Sequence, residues 1–290
     1  MADVALADQR RPGLLRVRRP RVDFEIWVPG GILVLLIGAC FLGPLLFNLP
    51  GPNTTNLNLP HAGLGTPGHL LGTDELGRDL LTRSLYGGQT SFEVGFASVA
   101  MGLVVGGLLG MVSGFIGGWV DSVIMRVLDI LLAFPSLILS LTVATYLGPS
   151  ERNVIIAIAF FTIPSYARVA RSGTLQFKDR EFVLSGTLSG ARRGYLIFRH
   201  VLPNIWGRLM TYGLITVGVA MIVEASLSFL GLGIRPPQAS WGAIIAEGKA
   251  YLTIAPQISL VPGTFLFVAV TSLNLLGDGI RTRFSGGEIW

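Results

Sequence analysis

Side chains able to do chemistry are sparse in this chain. The three histidines, His61, His69 and His200, are too scattered for a metal centre, and the single cysteine, Cys40, excludes an internal disulfide or a multi-cysteine site. Glu247-Gly248-Lys249-Ala250 comes nearest to a phosphate loop. It lacks the Ser or Thr after the lysine, and Gly242 falls one position from where the other glycine belongs. Gly63-Leu64-Gly65-Thr66-Pro67-Gly68 spells G-x-G-x-x-G, but no strand precedes it and Pro67 spoils the helix entry. Neither G-x-S-x-G nor H-E-x-x-H occurs, so the residues argue against a self-contained enzyme. Two polar features remain. Glu224 stands inside an apolar run, where a carboxylate costs about 2.5–3.5 kcal/mol at mid-span, so it anchors a neighbouring helix or lines a wet cavity. Residues 180–204 form a charged island in a lipid-loving chain.

The surrounding elements follow from composition. Only 13% of the 290 residues are charged and 51% are hydrophobic. The runs 94–120, 130–150 and 252–277 carry no Asp, Glu, Lys or Arg, and each supplies the roughly 20 apolar residues that cross a bilayer as a helix. The pattern predicts an all-α integral membrane protein with six transmembrane helices, near 27–49, 92–118, 123–147, 153–169, 209–232 and 254–277. Residues 1–26 read as an arginine-bearing tail. Residues 50–90 read as an extracytoplasmic segment with an amphipathic interfacial helix around Asp74 to Arg83. A core of five spans occupies 91–278 with a polar loop at 171–208, a second polar excursion covers 233–253, and 279–290 is a tail. Ile37-Gly38-Ala39-Cys40 looks like a lipoprotein cleavage site and the N-terminus like a signal peptide, but the apolar run continues past Cys40, which predicts an uncleaved first helix.

Charge orients these spans. Arg78, Arg83, Arg152, Arg235 and Lys249 lie in one set of connections, and the other seventeen of the 22 Lys and Arg lie in the opposite set. The positive-inside rule places both termini and the central loop in the cytoplasm. The net charge of +5 therefore reads as a basic membrane face, not as a nucleic-acid surface.

Gly102, Gly106, Gly110, Gly114 and Gly118 recur every fourth residue, a groove for close helix approach within the subunit or against a second one. Pro135, Pro164 and Pro262 fall inside spans, as static bends or as hinges along a path. Arg126 and Asp129 share a helix face and are expected to pair, and Arg168 to snorkel. In the island, a short helix near 181–189 can end at Gly190, and a second runs from about Arg192 to Pro203.

Several stretches together resemble the C-type membrane subunit of the oligopeptide/dipeptide permease family of binding-protein-dependent ATP-binding-cassette importers. They are Leu71-Gly72-Thr73-Asp74-Glu75-Leu76-Gly77-Arg78-Asp79, Gly117-Gly118-Trp119-Val120-Asp121, Leu128-Asp129-Ile130-Leu131-Leu132-Ala133-Phe134-Pro135 and Phe198-Arg199-His200-Val201-Leu202-Pro203-Asn204. Glu224-Ala225-Ser226-Leu227-Ser228-Phe229-Leu230-Gly231-Leu232-Gly233, Ser240-Trp241-Gly242 and Asn274-Leu275-Leu276-Gly277-Asp278-Gly279 complete the set. In the family's coupling motif, E-A-A-x3-G-x9-I-x-L-P, Gly190, Leu202 and Pro203 match. Leu184, Ser185 and Gly186 replace Glu-Ala-Ala, and His200 replaces Ile.

The resemblance implies a type I importer permease fold in the bacterial inner membrane. It implies an ATPase-coupling surface made of Glu181, Phe182, Leu184, Ser185, Gly186, Gly190, Ala191, Phe198, Arg199, His200, Leu202 and Pro203. Glu224 and Asn274 become intramembrane or path-side polar residues. The implied partners are a homologous second permease, two ATP-binding-cassette domains that bind ATP and Mg, an extracytoplasmic substrate-binding protein, a peptide substrate and the bilayer, with no cofactor in this chain. Dipeptides, nickel or another small solute remain open as cargo. A secondary transporter or channel working alone is the reading from another class.

Overall fold

The structure, a computed structural model, describes residues 24–285, with side chains to Arg283. Among these residues everything regular is helical apart from two isolated bridges, Thr66 with His69 and Thr73 with Asp79. The helices are α1 (Phe24–Leu46), α2 (Leu80–Ile116), α3 (Gly118–Leu132), α4 (Ser136–Leu147), α5 (Glu151–Phe177), α6 (Glu181–Leu188), α7 (Arg193–Phe229), α8 (Trp241–Gly248) and α9 (Gln257–Ser285). Five of them, α1, α2, α5, α7 and α9, are long and apolar enough to cross a membrane. The bent pair α3–α4 passes the same test when its two helices are taken together, which gives five or six candidate spans. The calls that fall within 1–23 and 286–290 lie outside the described residues.

Local chemistry sets the helix starts. Asp79, Ser150 and Ser240 cap α2, α5 and α8, their side chains accepting the backbone N–H of Thr82 (2.8 Å), Asn153 (3.2 Å) and Ala243 (3.0 Å). The glycine row explains the packing of α2 on α5. A β-carbon at Gly102 would lie 2.5 Å from the Thr162 hydroxyl oxygen, and one at Gly114 3.0 Å from the Arg171 carbonyl. At Gly106 and Gly110 it would overlap the carbonyls of Ile163 and Ala167. The row therefore packs inside the subunit. A π turn at Gly102–Gly106 keeps this groove against α5. Gly118 does not belong to the row. It follows the turn at Gly117, has φ +57°, opens α3 and faces nothing within 4 Å.

Several boundaries differ from those expected. The third span is not one rod: α3 and α4 meet at 86° across Ala133–Pro135. Pro135 lacks an N–H, and it biases Phe134 away from helical backbone. Pro164 and Pro262 stay inside continuous helices. The expected interfacial helix at Asp74 to Arg83 is absent. Residues 49–79 form stacked turns, because Gly72 and Gly77 hold positive φ with backbone pressed against the Ala62 and Asn56 carbonyls. The polar loop 171–208 is mostly the ends of α5 and α7, which bury Ala170, Thr174, Leu196 and Val201, so the true connection is 178–192.

The second island helix does not stop at Pro203. A π turn at Ile197–Val201 sends the Leu202 N–H to the Ile197 carbonyl, and the widened turn admits the proline ring as the helix continues to Phe229. The excursion 233–253 contains α8, which packs against α2, α7 and α9. α9 runs on to Ser285, where a tail was expected from 279.

Candidate functional site: the helical knob and its supports

Residues 178–192 and the first turns of α7 form a helical knob. α6 closes in a Schellman motif: the Gly190 N–H donates to the Thr187 carbonyl (3.0 Å) and the Ala191 N–H to the Gly186 carbonyl (3.0 Å). Gly190 sits at φ +80° with open space around it, so conformation and not volume demands glycine there. Val183 and Leu196 are buried beneath the knob. A β-carbon at Gly186 would lie 2.7 Å from Leu196 Cδ2, which shows how closely α6 lies on α7. The His200 ring, in the π turn, lies 6.1 Å from Phe182 and 5.8 Å from Tyr195.

The outer surface of the knob is apolar. Leu188 is 90% exposed, and Phe182, Leu184, Tyr195 and Phe198 are exposed beside it, next to a hollow of about 310 Å³ lined by Gly194, Tyr195, Phe198 and Arg199. An apolar patch of this kind on a polar connection is a candidate contact surface. The structure thus brings together most of the sequence-predicted coupling residues. Glu181 opens α6, Ser185 and Arg199 are exposed, and Leu202 and Pro203 sit behind the knob on α7. Leu184, where the family has an acid, offers no salt link.

Glu224 is fully buried. Its carboxyl accepts hydrogen bonds from Ser228 (2.9 Å), Ser240 (2.8 Å) and Ser91 (3.3 Å). Each of these hydroxyl oxygens in turn accepts a backbone N–H, from Ile234, Ala243 and Trp241 respectively. One carboxyl thereby fastens α8 and the turn before it to α2 and α7. Asn274 lies on α9 against Gly218 of α7, its Oδ1 3.5 Å from where a β-carbon would be.

A second buried polar group joins the outer turns to α8. Arg83 is completely buried, 2.6 Å from both Asp74 and Glu247. Arg78 reaches Asp74 (2.6 Å), Glu75 (2.9 Å) and Glu247 (3.1 Å). Asp74, Glu75 and Glu247 converge closely enough for a cation, but the two guanidinium groups already fill the space between them. Sequence reading took Asp74 to Arg83 for a surface helix and Glu247 for part of a failed phosphate loop. The signal available was the surplus of opposite charges in two segments flanking apolar spans.

On α3, Asp129 does not pair with Arg126. It takes Arg168 of α5 at 2.7 Å, so Arg168 pairs where it was expected to snorkel. Asp121 takes Arg171 in a two-point contact, 2.6 Å at both atoms, and accepts the Ser113 hydroxyl.

The fold is that of a glycine-grooved helical membrane protein carrying a protruding connection with an apolar crown. Residues 106–286 match the family of binding-protein-dependent transport system inner membrane components, and this chain belongs to that family. It is 37% identical over 258 residues to the glutathione transport system permease protein GsiD of Pectobacterium atrosepticum, covering 89% of this chain and 85% of that one. It is 38% identical over 213 residues to the dipeptide transport system permease protein DppC of Alkalihalophilus pseudofirmus, covering 73% and 70%. An inward-facing structure of the MetNI methionine ABC transporter shares the fold, with a TM-score of 0.54 at 17% identity over 68% of this chain and 94% of that one. The chain is thus a multi-pass permease subunit of the bacterial inner membrane, of the ATP-binding-cassette importer class, a family that is generally non-catalytic and works with ATPase and substrate-binding partners.

Proposed function

We propose that this subunit forms, with a homologous second permease, the path by which short peptides enter the cell. Two ATP-binding-cassette domains dock beneath the pair, one of them on this knob, bind ATP and Mg, and carry out all hydrolysis. An extracytoplasmic binding protein delivers the cargo. Both termini and the knob face the cytoplasm, in keeping with the distribution of Lys and Arg.

The observation that carries this reading is the knob itself, stiffened by the cap at Gly190 and crowned by Leu188. A stiff element transmits rigid-body motion from the ATPases into α5 and α7, to which it is joined at either end, and so biases a membrane dimer with two arrangements. Peptide cargo is favoured by the identity to glutathione and dipeptide permeases.

The test is reconstitution of the complete transporter and measurement of ATP-dependent uptake of labelled dipeptides, longer peptides, glutathione and nickel. Peptide uptake that stops without ATP or without the ATPases is expected. Equal uptake by this chain alone would replace the proposal with a stand-alone carrier.

A further inference from the structure

Apart from the knob and the Arg83 cluster, a polar hollow opens on the described surface. It is a cleft of about 450 Å³ between α3 and α5, lined by Asp121, Ser122, Met125, Asp129, Arg168 and Arg171. The lining holds two carboxylates and two guanidinium groups, so its formal charge is zero, but the two ion pairs are not alike. Asp121 and Arg171 share two contacts, and Asp121 also accepts the Ser113 hydroxyl, which makes this pair a fixed wall. Arg168 and Asp129 share a single contact of 2.7 Å, and their side chains are 56% and 52% exposed. Among the described residues, Asp129 Oδ2 and the remaining Arg168 N–H groups make no hydrogen bond.

An exposed, single-contact pair adds only about 0–1 kcal/mol. A ligand that supplies both an anion to Arg168 and a cation to Asp129 replaces that pair with two charge-assisted contacts. A ligand with one charge satisfies one residue and strands the other, so the cleft discriminates against net anions and net cations. Its volume is that of a small-molecule site. The apolar residues of α3, among them Trp119, Val123 and Val127, are exposed on the face away from the cleft, which leaves its polar face open to water.

We propose that this cleft is a subsite for the zwitterionic main chain of a short peptide, with the terminal carboxylate on Arg168 and the terminal ammonium on Asp129. The inference rests on the peptide reading above and adds a location on this chain. α5 leads from the cleft straight into the knob through residues 178–180, so a bound peptide clamps α3 to the element that the knob moves.

The test uses the assembled transporter in lipid nanodiscs, where both faces are reachable. Ser122→Cys reports on the cleft, because Cys40 is fully buried, and Met125→Cys is the second reporter should the first assemble poorly. The rate of modification by a polar thiol reagent is followed with Ala-Ala, N-acetyl-Ala-Ala or Ala-Ala-amide. Ala-Ala is expected to slow labelling several-fold. Blocking either terminus, or introducing Arg168→Gln or Asp129→Asn, is expected to weaken that protection about tenfold, the loss of one charged hydrogen bond. Arg168→Lys retains most of it. Absence of protection by Ala-Ala, or equal protection by the blocked peptides, overturns the subsite. Uptake of Ala-Ala in the same preparation separates the two claims: uptake without protection sinks the cleft alone, and protection without uptake sinks the peptide-import reading alone.

Discussion

At the scale of the residue, conformation, not contact, decides several positions. A β-carbon at Gly190 would meet nothing within 4 Å, yet its φ of +80° closes α6. Gly190→Val is expected to lower peptide uptake strongly and to uncouple ATPase stimulation, while Gly190→Asn, which tolerates the left-handed region, retains most of both. Uptake by the valine variant equal to that of the parent would show that the knob need not be stiff. Arg83 is the opposite case, a guanidinium held entirely by its partners. Arg83→Met leaves Asp74 and Glu247 with Arg78 as their one remaining guanidinium partner and is expected to cost about 3 kcal/mol, read as lost assembly or a lowered melting temperature in detergent. Glu224→Ala removes the acceptor of three hydroxyls and is expected to loosen α8, which faster proteolysis between α7 and α9 would reveal. Gly190 was legible in the sequence, since a glycine between two short apolar-patterned segments reads as a cap. Arg83 was not, because its partners come from the neighbouring turns and from a helix more than 160 residues away.

Helix elements succeed or fail as predictions according to how local their cause is. The glycine row on α2 was readable from spacing alone, and its partner helix was not. Gly106→Leu would push a side chain into the Ile163 carbonyl, and it should abolish stable insertion, whereas Gly107→Ala, on right-handed helical backbone where a β-carbon meets nothing within 4 Å, should leave expression near normal. Parent-like yield of the leucine variant would mean that α2 and α5 separate more easily than the groove implies. Pro135 was expected to bend its span, and it breaks it through 86°. Pro203 was expected to stop a helix and instead sits behind a π turn. The same residue type gave two results because the turn before Pro203 can widen to keep its hydrogen bonds, while Phe134–Pro135 cannot continue a helical backbone.

For the whole molecule, the arrangement has one face with the knob and one with the Arg83-clasped turns. Single cysteines introduced at Leu188 and Leu64, both exposed, should label from opposite sides of sealed vesicles, Leu188→Cys from the cytoplasmic side. Labelling of Leu188→Cys from the outer side and Leu64→Cys from the cytoplasmic side would reverse the charge-based orientation.

The chain alone determined the rough limits of the long apolar spans and the place of the knob. These depend on hydropathy and spacing along the chain, and each is a local property. Tertiary structure decided which charges meet: Arg83 with Glu247, Asp129 with Arg168, and Glu224 with three serines. An ion pair or a shared hydroxyl requires two segments at about 3 Å, and no one-dimensional pattern states which segments fold side by side.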